Sequence, residues 1–233
     1  MKLFASEYWD IGKREVNEDS LLIAQVDTSV GSAIMAAVAD GIGGLSEGEV
    51  ASGYILEELN RCFGDELIGL IVHKKSGRRI IRCLKHCLYE INSELRTYAD
   101  DKHIMLGSTL SLILIYRNKY IFVQLGDSAI YKCTRNSVIQ MTQKHITESG
   151  GVNRCIGSFG YMEPDIGYGK ISGKVGFLVA TDGFYKDMQK APGFWNPLKM
   201  NGTAMAEKRL RQMGELISKK QTDNASAVYV CCY

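Results

Sequence analysis

The feature that most constrains the fold is a series of β-type runs between residues 109 and 142, joined by very short polar turns. The runs cover residues 109–116, 120–125, 129–133 and 138–142. Connections of three or four residues are too short for the crossover that parallel strands need, so neighbouring strands must be antiparallel. We therefore predict an antiparallel meander in this part of the chain.

Apolar periodicity predicts the other elements. Further strands are expected at residues 4–9 (an edge strand), 20–26, 33–39, 174–181 and 225–232. Helical spacing predicts helices at about 78–98 and 203–219, and another that begins at Ser46 as its N-cap and continues to Leu59. Residues 143–160 are polar and predict a loop. We expect an α+β fold, a central antiparallel β-sandwich of two sheets flanked by α-helices.

Length and charge limit the classes of protein that need to be considered. The chain of 233 residues suits a single domain, and its net charge of +2 disfavours a general nucleic-acid binder. No apolar stretch approaches the ~20 residues that span a bilayer, and residues 1–7 lack a signal-peptide core. We therefore expect a cytoplasmic protein with neither nucleic acid nor membrane as a partner.

The seven cysteines do not form a paired motif of the zinc-binding kind. Cys83 and Cys87 share a helix face, but no second pair of ligands lies near them in the sequence. Reduced, partly buried thiols are therefore favoured over a metal site.

Five aspartates occupy equivalent positions at the ends of predicted strands. Asp40, Asp127 and Asp182 each follow an apolar run, while Asp19 and Asp223 stand just before one. A solvated Asp-Gly turn would explain any one of them. In an antiparallel sandwich all five can meet at one end, where their mutual repulsion would require hard divalent cations. Without histidine or cysteine among them, they favour Mg²⁺ or Mn²⁺ over zinc.

A polar cluster from Gly12 to Asp19 precedes the second predicted strand. One interpretation is a solvated loop with weak local ion pairs. The other is a site where Arg14 grips a phosphate and the acids contact a metal.

Several short motifs then combine into a pattern that covers residues 12–230. In chain order they are Gly12-x-Arg14-x-x-Asn17-Glu18-Asp19, Asp40-Gly41-x-Gly43-Gly44, Gly48-Glu49-x-Ala51-Ser52, Gly107-Ser108-Thr109-Leu110, Gly126-Asp127-Ser128, Thr181-Asp182-Gly183 and Asp223-Asn224-Ala225. The pattern resembles the metal-dependent protein phosphatases, the type 2C serine/threonine phosphatases, of the bacterial kind. The resemblance implies a four-layer αββα fold and a single catalytic domain over residues 1–233.

The resemblance also implies roles for individual residues. The implied metal ligands are Asp19, Asp40, the Gly41 carbonyl, Asp127, Asp182 and Asp223. Among these, Asp40 would bridge two Mn²⁺ or Mg²⁺ ions and Asp127 would bind a third, weaker one. Arg14 would grip the substrate phosphate and Glu18 would hold a water of the metal shell, which makes Arg14, Glu18 and Asp40 the expected catalytic residues. Thr109 and Asn224 would support the site.

The chain departs from the family pattern in three places. Leu45 stands where the family often has histidine, and Lys186 stands where it usually has an acid, with Asp187 one residue later. The segment at about 143–174 is much shorter than the family's flap. His145 in that segment is a candidate proton donor, although a hydrogen-bonded or exposed structural histidine is the simpler interpretation.

The resulting expectation is a monomeric enzyme that hydrolyses phosphoserine and phosphothreonine in proteins, the products of a serine/threonine kinase. A water activated between two divalent cations would attack the phosphorus. Two alternatives remain open: a catalytically weak phospho-binding or scaffold protein of the same fold, and a hydrolase of small phosphorylated metabolites.

Overall fold

Two five-stranded antiparallel sheets form the centre of the molecule. The computed structural model describes residues 1–42, 45–157, 161, 163–200, 202–220 and 222–233. Within them the strands are β1 (Leu3–Asp10), β2 (Asp19–Thr28), β3 (Gly31–Asp40), β4 (Leu110–Tyr116), β5 (Lys119–Leu125), β6 (Ala129–Cys133), β7 (Val138–Gln140), β8 (Asp165–Lys170), β9 (Val175–Ala180) and β10 (Ala225–Cys232). Their order is β1-β10-β9-β6-β7 in one sheet and β2-β3-β4-β5-β8 in the other.

Helices cover the outer faces of both sheets. They are α1 (Gly48–Cys62), a π-helical turn (Phe63–Leu67), α2 (Ile68–Val72), α3 (Gly77–Lys102), α4 (Asp182–Tyr185), a 3-10 turn (Pro197–Lys199) and α5 (Thr203–Ile217). Helices α1 and α3 pack on β3, β4 and β5, while α5 packs on the sheet of β9 and β10. The predicted α+β sandwich with four layers is confirmed.

The alternation of side chains along the strands produces three apolar cores. On β3, Ile34, Ala36 and Val38 face the other sheet, whereas Met35 and Ala37 face the helices. Because successive strand residues point to opposite faces, a continuous apolar run serves both layers. This explains why the central strands are apolar throughout.

The predicted meander is wrong at one junction. Strands β4 and β5 form a hairpin in one sheet, but β6 pairs with β7 and β9 in the other sheet. The connection between β5 and β6 therefore crosses the sandwich at Gly126, whose φ of +88° requires the left-handed region. Turn length reveals an antiparallel connection but does not reveal which sheet receives the next strand.

The predicted N-cap at Ser46 is also wrong. The N-cap of α1 is Glu47, in a left-handed conformation and without a side-chain cap hydrogen bond. Its carboxylate instead accepts hydrogen bonds from the Tyr98 hydroxyl (2.7 Å) and the Lys102 ammonium (3.1 Å) on α3. The Glu47 carboxylate thus binds the neighbouring helix α3 and does not cap the N-terminus of its own helix.

The other predicted elements are present, with ends shifted by a few residues, and the described residues of 143–160 contain no helix or extended strand. The sequence did not predict strand β8, which pairs with β5, the π-helical turn with α2, the short helix α4 or the 3-10 turn. Within the described part of the chain, no helix has the length and apolar character needed to cross a membrane.

Helix α5 offers a direct test of the outer core. Leu210 is fully buried against the sheet of β10, whereas Leu216 on the same helix is 51% exposed. We expect Leu210→Ala to lower the free energy of unfolding by about 2–5 kcal/mol through a cavity, and Leu216→Ala to change it by less than about 0.5 kcal/mol. Urea unfolding of both variants measures the difference. Equal losses would contradict the assigned face of α5.

Candidate metal centre

Two strand ends place Asp19 and Asp40 face to face. Asp19 begins β2, Asp40 ends β3, and the two residues are directly paired in the register of these strands. Asp19 is only 3% exposed. Its Oδ2 accepts a hydrogen bond of 2.9 Å from the Thr181 hydroxyl, while its Oδ1 is buried without a hydrogen-bond partner. A buried carboxylate oxygen without a partner is costly unless a cation accompanies it.

Backbone contacts hold Asp40 from the side of β4. The Asp40 amide donates to Thr109 Oγ1 (3.1 Å), and the Thr109 amide donates to the Asp40 carbonyl (2.9 Å). Thr109 is in turn hydrogen-bonded to Ser128 (2.8 Å), next to Asp127. Thr109 thus connects the ends of β3 and β5 without being a carboxylate itself.

Three further aspartates face the same space. Asp182 is the first residue of α4 after β9, Asp127 follows β5, and Asp223 precedes β10. Burial raises the pKa of Asp40 well above its usual range, and the negative charges of the four other aspartates raise it further. The same causes, burial followed by Asp182, raise the pKa of Asp127. The five carboxylates predicted from the sequence are therefore electrostatic neighbours.

The donor set fits hard divalent cations. All five residues offer carboxylate oxygens, and neither histidine nor cysteine belongs to the set, which favours Mn²⁺ or Mg²⁺ over zinc. Together with the orphan Oδ1 of Asp19, this donor set fits the predicted Mn²⁺ or Mg²⁺.

Gly41 allows the chain to pass close to α1. A Cβ at Gly41 would lie 2.6 Å from the carbonyl carbon of Gly48. The Gly41 amide donates a hydrogen bond to the Glu18 carbonyl (3.0 Å). Only glycine fits this approach of two backbones. The other glycines of the predicted turn, Gly43 and Gly44, lie outside the described residues.

Asn224 fixes the loop that carries Arg14 and Glu18. Its amide nitrogen donates to the carbonyls of Ile11 (2.9 Å) and Val16 (3.2 Å), and its Oδ1 accepts from the Glu18 amide (3.0 Å). The predicted supporting residue therefore joins the loop at residues 11–18 to the start of β10. Asn224 holds the backbone of this loop in place, in keeping with the prediction of a supporting residue and not of a metal ligand.

Arg14 and Glu18 lie at the rim of the aspartates. Arg14 Nε is 2.9 Å from Asp223 Oδ1, with 51% of the arginine side chain exposed. The Asp223 side chain raises the pKa of Arg14, so the guanidinium remains charged. Burial raises the pKa of Glu18, and Glu49 adds to this while Arg14 opposes it.

Lys186 occupies the position where the family has an acid. Its ammonium lies 2.5 Å from Asp182 Oδ2, within the turn that continues α4. The acid one residue later, Asp187, is exposed. A lysine therefore contacts a predicted metal ligand. The sequence showed that position 186 is a lysine, but it did not show the contact with Asp182.

His145 has a structural environment. It is buried, its Nδ1 accepts from the Gly126 amide (3.2 Å), and its Nε2 lies 2.9 Å from Asp165 Oδ2. Since Nδ1 is an acceptor, Nε2 carries the proton and donates to Asp165. Arg154 also binds Asp165 (3.1 Å). This network, which joins residues 145–165 to Gly126, was missed because no sequence pattern marked Arg154 or Asp165.

Comparison with known proteins identifies similar sequences. The family model of protein phosphatase 2C matches residues 10–216. A curated relative, the serine/threonine phosphatase stp of Listeria welshimeri, is 27% identical over 110 residues. That alignment covers 46% of this chain and 42% of the relative, so it spans less than half of each protein.

Solved structures share the whole fold. A bacterial serine phosphatase superposes with a TM-score of 0.82 at 22% identity, covering 100% of this chain and 98% of that one. Serine/threonine phosphatase Stp1 from Staphylococcus aureus gives 0.80 at 22% identity, with 100% and 96% covered. The catalytic domain of PstP, in complex with 2 manganese ions, gives 0.77 at 23% identity, with 98% and 97% covered.

The aspartates predict an unusual pH dependence for the metal-free protein. Burial raises the pKa of Asp19 from an ordinary value near 3.8 to about 7, and Asp182 and Asp223 add to the shift. The folded state therefore binds more protons than the unfolded state between about pH 4 and pH 7, so stability falls as pH rises through this window. With a chelator present, we expect the melting temperature at about pH 5.5 to exceed that at about pH 8 by at least ~2 °C, as about 1 kcal/mol would cause.

Asp19→Asn should reduce this pH dependence, because the amide does not titrate. Asp27→Asn, which removes an exposed carboxylate from the same strand, is the matched control and should leave the dependence unchanged. If Asp19→Asn leaves the pH dependence of the melting temperature unchanged, the assignment of this dependence to the Asp19 carboxylate is refuted.

Proposed function

The chain belongs to the protein phosphatase 2C family, and we propose that it hydrolyses phosphoserine and phosphothreonine in proteins with divalent cations at the aspartate cluster. Water attacks phosphorus, the bond between phosphorus and the side-chain oxygen breaks, and the products are inorganic phosphate and the free hydroxyl. The observation that carries this proposal is that four aspartates act electrostatically on Asp40, and one of them, its strand partner Asp19, has a buried Oδ1 without a hydrogen-bond partner.

The proposed ligands are the five aspartates and the Gly41 carbonyl. Cations bound there would neutralise the charge on the phosphate and lower the pKa of a water. The likeness to a phosphatase domain in complex with manganese supports Mn²⁺ as the first ion to test. Thr109, Thr181 and Asn224 would keep the ligands oriented through the hydrogen bonds described above.

We propose that Arg14 binds the phosphate of the substrate. Its guanidinium is half-exposed and charged, and its contact with Asp223 aims it at the rim of the cluster. A guanidinium forms two parallel hydrogen bonds with a phosphate dianion, which orients the phosphorus toward the aspartates. Glu18, beside Arg14, would accept a hydrogen bond from the attacking water.

The exposure of Arg14 bears on the choice of substrate. Its side chain is 51% exposed, so we propose that a phosphorylated segment of a folded protein can reach it. This favours phosphoproteins over small phosphorylated metabolites, which a deeper pocket would enclose.

The proposal is tested with a phosphothreonine peptide and p-nitrophenyl phosphate as substrates. We expect hydrolysis that depends on Mn²⁺ and stops with a chelator. Asp40→Asn should lower kcat/KM by at least about 100-fold, as the loss of a group that stabilises transition-state charge does. Undetectable or metal-independent hydrolysis would refute the proposal.

Arg14→Ala in the same assay separates phosphate binding from chemistry. It should raise KM by about 10- to 150-fold, since one charge-assisted contact contributes about 1.5–3 kcal/mol. Arg211→Ala, which removes an exposed arginine paired with Glu207 on α5, is the control and should leave KM unchanged.

Lys186 should weaken metal binding, because its ammonium competes with a cation for Asp182. We expect Lys186→Gln to lower the Mn²⁺ concentration for half-maximal activity about two- to fivefold, since a half-exposed ion pair contributes up to about 1 kcal/mol. Lys190→Gln is the control, as the Lys190 ammonium lies over the Tyr131 ring. An unchanged requirement in Lys186→Gln would contradict the competition.

The contact between Lys186 and Asp182 also favours a second candidate function, phosphoprotein binding with little turnover. In that case the wild-type protein would bind a phosphothreonine peptide without hydrolysing it, and Lys186→Gln would gain Mn²⁺-dependent activity. Turnover by the wild-type protein excludes this alternative.

A further inference from the structure

A second cluster of potential metal ligands lies far from the aspartates, between α1 and α3. Cys62 is the last residue of α1, Glu66 lies in the π-helical turn that follows, and Cys83 and Cys87 lie on α3. The sulfur atoms of Cys62 and Cys83 and a carboxylate oxygen of Glu66 all lie within 4.8 Å of one another. Among the residues that the structure describes, this is the one group of three with such spacing.

The distances suit a tetrahedral site. Cys83 Sγ and Glu66 Oε2 are 3.3 Å apart. Two such ligands of a tetrahedral zinc ion, with bonds of about 2.3 and 2.0 Å, would be about 3.5 Å apart. Cys87, one helical turn after Cys83, is the candidate fourth donor; its side chain interacts with that of Cys62, and its sulfur would have to turn toward the other three ligand atoms, because it is not among those within 4.8 Å of one another.

The fold provides the pair of ligands that the sequence lacked. Cys83 and Cys87 are one helical turn apart on α3, and the partner pair, Cys62 and Glu66, lies in α1 and the turn that follows it, with Glu66 17 residues before Cys83. The π-helical turn (Phe63–Leu67) carries Glu66 toward α3 directly after Cys62. Such turns are rare and often occur at functional sites.

We propose that Cys62, Cys83, Cys87 and Glu66 bind one thiophilic divalent cation of the Zn²⁺ class. Three sulfur atoms and one oxygen favour zinc over the hard cations that suit the aspartates. The site is separate from the proposed catalytic centre, because Cys62 is at the opposite end of α1 from Gly48, about 20 Å away for a helix of this length.

The surroundings allow a cation to enter and remain. Cys62 is buried and the thiols of Cys83 and Cys87 are half-buried, whereas Glu66 is exposed and opens the cluster to solvent. Arg79 and Arg82 line the same surface cavity as Glu66 and Cys83 and offset negative charge. Binding converts three thiols to thiolates and releases three protons, while the glutamate is already ionised.

The cation would join the end of α1 to the middle of α3. These helices form the outer layer over β3, whose end carries Asp40. Bound zinc should therefore raise the melting temperature through its preference for the folded state, without taking part in phosphate hydrolysis.

Cobalt(II) is the probe, since thiolate ligands produce an intense near-ultraviolet charge-transfer band that oxygen ligands do not. In fully reduced protein we expect this band to saturate at one equivalent of Co²⁺ and to disappear on addition of one equivalent of Zn²⁺. Cys83→Ser should weaken Co²⁺ binding at this site at least tenfold, whereas Cys133→Ala, which removes a buried thiol from the other side of the sandwich, should not.

The carboxylate ligand has its own pair of variants. Glu66→Gln should weaken binding, and Asp65→Asn, which removes the adjacent exposed carboxylate, should leave it unchanged. Circular-dichroism melting without metal identifies a variant that fails to fold, and Glu66→Gln then replaces Cys83→Ser as the decisive one. Mn²⁺-dependent phosphatase activity should persist in Cys83→Ser, which separates this test from that of the catalytic centre.

The proposal is overturned if excess Co²⁺ produces no thiolate band, or if Cys83→Ser retains the band with unchanged affinity. It is also overturned if air oxidation joins Cys62 to Cys83 or Cys87 while the reduced cluster binds no metal, which would make the cluster a disulfide pair.

Discussion

The repulsion between carboxylates that the sandwich holds together is the constraint on which the rest of the structure depends. Asp19 and Asp40 are fixed opposite each other by the pairing of β2 and β3, so neither can move away without breaking the strand ends. Burial and neighbouring charges raise the pKa of both. This electrostatic cost is present in the metal-free protein, and a divalent cation at the proposed site would relieve it. The fold would then favour cation binding before any substrate arrives.

The same strand ends that carry the acids also carry the groups that hold them. Thr109 before β4, Thr181 after β9 and Asn224 before β10 each form hydrogen bonds to a neighbouring strand or loop. None of the three carries a charge, so each fixes position without adding to the repulsion. Rigid elements therefore supply both the ligands and their orientation, which is what precise metal geometry requires.

Sequence patterns recovered most of the fold and the acidic residues, and the failures have physical causes. Strand β8 has glycines at alternate positions, Gly167 and Gly169, where rings of β5 approach, so it lacks the apolar alternation that marks a strand. The N-cap at Ser46 failed because Glu47 binds α3 instead. The sequence analysis found no metal-binding partners for Cys83, because one of the side chains that meet it is a glutamate, Glu66, which a search for paired cysteines does not recognise. In each case a tertiary contact decided what a local rule could not.

By itself, the sequence determined the antiparallel sandwich, its helices and the aspartates at the strand ends, because apolar periodicity and turn length are local properties. Only the tertiary structure decided that β6 crosses to the other sheet, that Lys186 contacts Asp182, and that Cys62 and Glu66 meet Cys83. The reason is that strand order and side-chain encounters depend on how separate elements pack, and packing is settled by the burial of whole faces. The acidic residues at a strand end can therefore be predicted from the sequence, whereas contacts between side chains of separate elements cannot.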